Sequence, residues 1–211
     1  MADLRLTRID KLIRRDHHHL EVEDECYFMR QYTSGVGYRH SDTNNLISNL
    51  KKSMDRRGSS EWRYKERALD RVAAELAESI NPASIESATL VPMPPSKNTS
   101  DPLHDDRMLQ VLQRIQGQRR LDIRELIHQR TSTTAAHAST EPRDPVLIAA
   151  NYIIDESVAT PEPRQVALFD DIITTGAHYR AAHMVLGRRF PGASIIGVFV
   201  ARRVFPTERE E

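Results

Sequence analysis

Cysteine is almost missing from this chain: Cys26 stands alone among 211 residues. No internal disulfide can form, so a reducing, cytoplasmic setting is expected. Net charge is missing too, since 30 Lys and Arg offset 30 Asp and Glu. That balance gives no electrostatic reason to expect a nucleic-acid or membrane partner. Long apolar runs are also lacking. The longest, residues 193–201, is interrupted by Ser194 and Gly197 and is too short to span a bilayer. The opening stretch, MADLRLTRIDKLIRRD, is charged throughout and has no apolar centre of a signal peptide. A chain of this length is expected to form one domain with an appendage around a sizeable core.

What the chain does contain is concentrated in residues 166–178, VALFDDIITTGAH. Val166, Ala167, Leu168 and Phe169 suit a parallel strand covered on both faces. Asp170 and Asp171 follow, at the carboxyl end where open α/β sheets bind ligands. Ile172 and Ile173 then lead to Thr174, Thr175 and Gly176 and into a helical pattern. Hydroxyls and backbone N–H groups converging at a helix start suit a phosphate. Gly176 would let the backbone approach an anion without an intervening Cβ. The segment can therefore hold a phosphate in its loop while two carboxylates face polyol hydroxyls or a metal. An ordinary βα turn with acids capping the helix is the plainer alternative.

This order of residues resembles the phosphoribosyl-diphosphate (PRPP) motif of type I phosphoribosyltransferases. The resemblance implies an α/β fold: a mostly parallel sheet flanked by helices, with an N-terminal hood and a flexible lid hairpin. It assigns Thr174, Thr175, Gly176, Ala177 and His178 to the 5-phosphate, and Asp170 and Asp171 to the ribose hydroxyls and catalysis. Magnesium is the implied cofactor, with Asp170 and Asp171 as its protein contacts, directly or through ribose hydroxyls or water. The resemblance also implies a pyrophosphate loop at Pro94, Pro95, Ser96 and Lys97, after the strand at residues 88–93; Lys97 is a suitable cation and Ser96 a suitable donor. VPMPPSK, and the stretch from Arg130 and Thr131 through Arg143 to Asn151 and Tyr152, are similar to the competence-associated (ComF-like) branch, although no glutamine sits in that loop.

The remaining chain reads as alternating strands and helices. Residues 1–24 are charged and include His17, His18 and His19. Adjacent side chains cannot all face one metal, so a surface or poorly ordered run is expected. A strand is expected at 25–32, a turn at 33–37, and helices at 43–54 and 60–80. The second helix should bury Trp62, Leu69, Val72, Ala73, Leu76 and Ile80, with charges opposite. A crossover helix is expected at 105–116, with Arg107 read as solvated rather than turned to a diphosphate. Residues 121–130 fit helix or strand by periodicity; the family's hairpin selects a strand for the second half. Residues 131–145 lack periodicity and are expected to be a mobile lid. A returning strand at 151–155, a helix at 177–190 and a strand at 194–201 complete the chain. Arg202 and Arg203 stand at that last strand's end, as ligand contacts or surface arginines.

The resemblance covers residues 85–211, with 1–60 as hood or accessory region and 61–211 as core. The implied reaction transfers the phosphoribosyl group of PRPP to a nitrogenous acceptor and releases pyrophosphate. The hypoxanthine-guanine branch has an acid where Thr174 stands here, which argues against purine salvage. Two other readings use the same pocket: a PRPP- or nucleotide-sensing regulator without turnover, and a hydrolase or effector acting on a nucleotide's ribosyl bond. A homodimer is implied by analogy alone.

Overall fold

The structure, a computed structural model, describes residues 5–116, 120–133 and 144–206. Its centre is a six-stranded, mostly parallel sheet flanked by helices. In chain order the strands are β1 (Thr7–Arg8), β2 (Glu25–Thr33), β3 (Thr89–Pro92), β4 (Asp122–Ile123), β5 (Ile127–Gln129), β6 (Tyr152–Ile154), β7 (Gln165–Ile173) and β8 (Ser194–Val204). The sheet order is β1-β2-β8-β7-β3-β4, and β5 and β6 form a separate antiparallel pair. Only β1 runs antiparallel to its neighbour in the large sheet. The helices are α1 (Asp42–Leu50), α2 (Trp62–Ser79), α3 (Pro82–Ser87), α4 (Arg107–Gln116), α5 (Pro145–Ala150) and α6 (Ala177–Arg189).

Alternation along β7 builds two cores. Ala167 and Phe169 join Leu69, Val72 and Leu76 of α2, Leu46 and Leu50 of α1, and Val111 and Leu112 of α4. Val166 and Leu168 face the other way, toward Ala181, Ala182 and Leu186 of α6, Ile127 of β5 and Tyr152 of β6. A strand buried on both faces has to be apolar at successive positions, and VALF is. Burying side chains of this size contributes about 1.5–3 kcal/mol each.

The same topology positions the site. From β3 the chain crosses through α4 to β4 on one side; from β7 it crosses through α6 to β8 on the other. The two crossovers diverge between adjacent β3 and β7, which makes the crevice at their carboxyl ends a topological switch point. Both loops singled out in the sequence, after β3 and after β7, lie there.

Several boundaries differ from expectation; β8, expected over 194–201, runs on to Val204, so Arg202 and Arg203 lie within the strand rather than beyond its end. The helix expected over 43–54 ends at Leu50, and a separate 3-10 turn covers Met54–Arg56. The carbonyls at this end are taken up by Lys65, whose ammonium donates to Leu50 O (2.8 Å) and Lys52 O (3.0 Å). Beyond the stop at Asn81 and Pro82, α3 begins, with the Asn81 side chain accepting from Ala83 N–H. The expected lid, 131–145, ends within α5, where Asp144 caps and Pro145 occupies the first turn. Its residues 134–143 lie outside the described residues. β1 and β2, from the first 60 residues, belong to the large sheet. Among the described residues, no helix is long and apolar enough to cross a membrane.

Candidate functional site

A cleft of about 1260 Å³ opens at the switch point. Pro94, Pro95, Ser96 and Lys97 line it, as do Asp170, Asp171, Thr174, Thr175, Gly176, Ala177 and His178. The fold thus brings every residue of the sequence-derived site to one opening.

The post-β3 loop is fixed through its carbonyls. Gln129 Nε2 donates to Pro95 O (2.7 Å), Thr133 N–H to Ser96 O (2.7 Å), and His104 Nδ1 donates to Lys97 O (2.9 Å). Those bonds come from the β5–β6 hairpin and the start of the α4 crossover, so two neighbouring elements set the loop's shape. Lys97 Nζ lies 3.9 Å from Asp101 and remains one-third exposed.

The loop after β7 is fixed by a segment that the sequence did not mark. His17 is fully buried, and its Nδ1 donates to the carbonyl of Thr174. His19 N–H donates to Thr175 O at 3.0 Å. A Cβ built on Gly176 would lie 2.9 Å from both Cγ and Cδ2 of Leu20. Residues 17–20 therefore form a strap across the carbonyl side of the loop. The expectation of a surface histidine run is corrected for His17: what holds it inside is a carbonyl 157 residues away in sequence. Burial lowers the His17 pKa against the raising effect of Thr174 and leaves Nε2 without a partner, so the ring is uncharged at neutral pH.

Gly176 meets the same strap. Its φ is +87°, the left-handed region that favours glycine, and the space beside its Cα is filled by Leu20. Packing and backbone conformation are enough by themselves to call for glycine at this position. The loop's other side leads into α6, whose first N–H groups have no intrahelical acceptors; Ala177 N–H lies 3.4 Å from Thr175 Oγ1. Tyr152 Oη lies 3.0 Å from His178 Nδ1 and ties the hairpin to this helix start.

The adjacent acids are unlike each other. Asp171 is 7% exposed, with Oδ2 accepting from Arg107 Nη1 (2.6 Å) and Oδ1 from Lys51 Nζ (3.2 Å). Burial alone would push its pKa up, but Lys51 and Arg107 together hold it well below the usual carboxylate range. Asp170 has no such cations in contact. Its Oδ1 accepts from Asp171 N–H (2.7 Å), while burial, and then the Asp171 charge, push its pKa up to about 7. Pairs of carboxylates driven apart in this way divide into one ionised and one proton-holding member.

Arg107 is not solvated, as the sequence suggested, but bridges Asp171 and Asp105, its Nε 2.9 Å from Asp105 Oδ2. Asp105 also accepts from fully buried Lys65 at 2.8 Å. A charged network thus runs beneath the cleft from α2 to β7. Lys65 was legible in part: it falls on the α2 stripe that contains Ala68, Leu69, Val72 and Leu76, and a lysine there needs buried acceptors. Among the described residues, no group of three or more His, Cys, Asp or Glu is arranged to hold a metal ion.

The two acids predict a measurable pH dependence. Asp170 has a folded pKa above its unfolded value, so the folded state binds more protons between about pH 4 and 7, and stability falls as pH rises through that window. Buried His17, with its lowered pKa, acts in the opposite sense near the top of the window. The difference between wild type and Asp170→Asn isolates the carboxyl: the variant should gain relative stability from pH 5 to 8 in urea melts. An unchanging difference would contradict the assignment.

No family model matches this chain, and no curated protein was found to match it.

Proposed function

We propose that the chain has the type I phosphoribosyltransferase fold and binds PRPP, transferring its phosphoribosyl group to a nitrogenous acceptor. The observation that carries this reading is the convergence of the 94–97 loop, the Asp170–Asp171 pair and the 174–178 loop on one cleft at the switch point. The 5-phosphate lies at the start of α6, where N–H groups and the hydroxyls of Thr174 and Thr175 suit an anion. The ribose hydroxyls reach Asp170, and the diphosphate extends toward the 94–97 loop and Lys97.

In the transfer, the acceptor nitrogen's lone pair forms a bond to C1 as the bond from C1 to the pyrophosphate oxygen breaks. The electron pair leaves on pyrophosphate, and the acceptor's proton goes to solvent. The protein's part is to position the two reactants and to stabilise charge on the leaving group. Both oxygens of Asp171 are on cations, so its expected metal role does not fit this arrangement; Asp170 fits, beneath the ribose. The residues suit a magnesium held mainly by substrate oxygens and water, which when bound would supply charge neutralisation at the diphosphate. Asp171 acts instead through Arg107 and Lys51, whose positions it fixes.

The pairing of Asp171 with two cations favours a second reading, a PRPP- or nucleotide-sensing regulator that binds without turnover. Pyrophosphate release from PRPP and magnesium, measured across a panel of nitrogen heterocycles and amines, separates the two. Acceptor-dependent release supports the transferase; saturable PRPP binding without release under any acceptor supports the sensor.

A further inference from the structure

The strap of residues 17–20 sets the direction of the peptide groups in the loop after β7. Three successive carbonyls there are taken. Thr174 O accepts from His17 Nδ1, Thr175 O from the His19 N–H at 3.0 Å, and Gly176 O from the Arg180 N–H of α6 at 2.9 Å. A peptide unit is planar and trans, so its N–H points opposite to its carbonyl. Holding Thr174 O and Thr175 O on the strap therefore turns the N–H groups of Thr175 and Gly176 to the loop's other side. Both residues line the cleft, and neither N–H donates to an acceptor among the described residues. Gly176 is buried and Thr175 half-buried, and backbone donors in such places are rarely left without an acceptor. Successive N–H groups directed together make a concavity that suits an anion.

His17 supports this arrangement at a cost to stability. Its ring is fully buried, Nδ1 is on Thr174 O, and Nε2 has no partner. A carbonyl can only accept, so Nδ1 carries the proton and Nε2 is bare. A buried nitrogen left in that state is destabilising, and a leucine would fill the same space without the penalty. Leucine could not, however, hold Thr174 O. The backbone of His17 is fixed from both sides, its N–H on Arg14 O at 2.9 Å and its carbonyl accepting from the Leu20 N–H at 2.8 Å. The donor is thus presented by a folded turn, which is what placing a partner group accurately requires.

We propose that His17 is a positioning residue for an anion at this loop. It holds Thr174 O while the His19 N–H holds Thr175 O, so that the N–H groups of Thr175 and Gly176 converge on one phosphate. That this is the 5-phosphate of PRPP rests on the reading above; the orientation of the loop does not. His17 does not line the cleft, and it acts from behind the loop without touching the ligand.

Three substitutions separate this role from packing. Asn carries an amide N–H where the ring carries Nδ1, Gln carries it one carbon further out, and Leu has no donor. Ribose 5-phosphate, and PRPP with magnesium, are titrated calorimetrically into wild type and each folded variant, and urea melts give the stabilities. His17→Leu and His17→Gln should bind ribose 5-phosphate about tenfold more weakly than wild type, the loss expected when hydrogen bonds to a charged group are misdirected. His17→Asn should recover most of that loss, whatever the order of stabilities. In wild type, the Thr175 and Gly176 amide resonances should move most when ribose 5-phosphate is added. Full affinity in His17→Leu, an Asn variant no better than Leu, or unmoved amides at 175 and 176 would overturn the positioning role. If any of these is found while wild type binds PRPP, the role falls and the PRPP reading stands. If wild type binds ribose 5-phosphate in a His17-dependent way but not PRPP, the PRPP reading falls and the role stands. Binding of neither ligand overturns both. Should the variants not fold, the wild-type amide shifts decide the matter.

Discussion

Asp171→Asn should destabilise the protein by about 3 kcal/mol, and Asp170→Asn should not. Removing one partner from a buried ion pair typically costs about 3–5 kcal/mol because the other charge stays behind. Here Asp171 is the common acceptor of Arg107 at 2.6 Å and Lys51 at 3.2 Å. The lower end applies, since Arg107 keeps Asp105 and the Lys51 side chain is 31% exposed. Asp170 already holds its proton up to about pH 7, so an amide changes little there in the free protein. Urea denaturation of the two single variants at pH 6.5 makes the comparison. Equal losses would mean that the acids are equivalent and that the ion-pair network does not run through Asp171.

Gly176→Val should be the most damaging single substitution in the site, in stability as well as in anion binding. A β-branched residue held at φ +87° costs on the order of 1–3 kcal/mol. Forcing extra carbon against Leu20, already 2.9 Å from the position of a Cβ, adds an overpacking cost of about 1–3 kcal/mol. The strap should lift, and hydrogen exchange at the amides of His19 and Leu20 should accelerate, because their acceptors are Thr175 O and His17 O. Unchanged exchange at these amides, with a melting temperature near wild type, would show that the strap does not depend on this glycine.

How much of this was legible follows the range of the interactions. The strand, the loop and the helix of residues 165–189 could be read because each step depends on neighbours: an apolar run, two acids, a glycine in the loop, a helical continuation. The hairpin and both candidate loops were placed by the same local logic together with the family resemblance. His17, Arg107 and Lys51 were not, since each is defined by a partner far along the chain, at separations of 157, 64 and 120 residues. No periodicity encodes such a pairing. Gly176 shows the intermediate case: the need for glycine was visible, but its reason, Leu20 packed against it, was tertiary.

The first 60 residues give a similar lesson. Residues 33–37 read as a turn, and they are one, but only the fold sets that turn beside Arg203. Equally, the sequence offers no distinction between Arg202 and Arg203. Their environments separate them: Arg202 donates to Asp16 and lies over Phe28, while Arg203 lies over Phe205 and lines the cleft, and the Nε of each is buried without a partner.

The account's central claim is that this cleft holds a 5-phosphorylated ribosyl diphosphate, and isothermal titration of the wild-type protein with PRPP and magnesium at pH 7.5 tests it most directly. One saturable site per chain is expected, competed by a ribose 5-phosphate and weakened at least tenfold in a folded Asp170→Asn variant. No heat of binding, or full affinity retained by that variant, would contradict it.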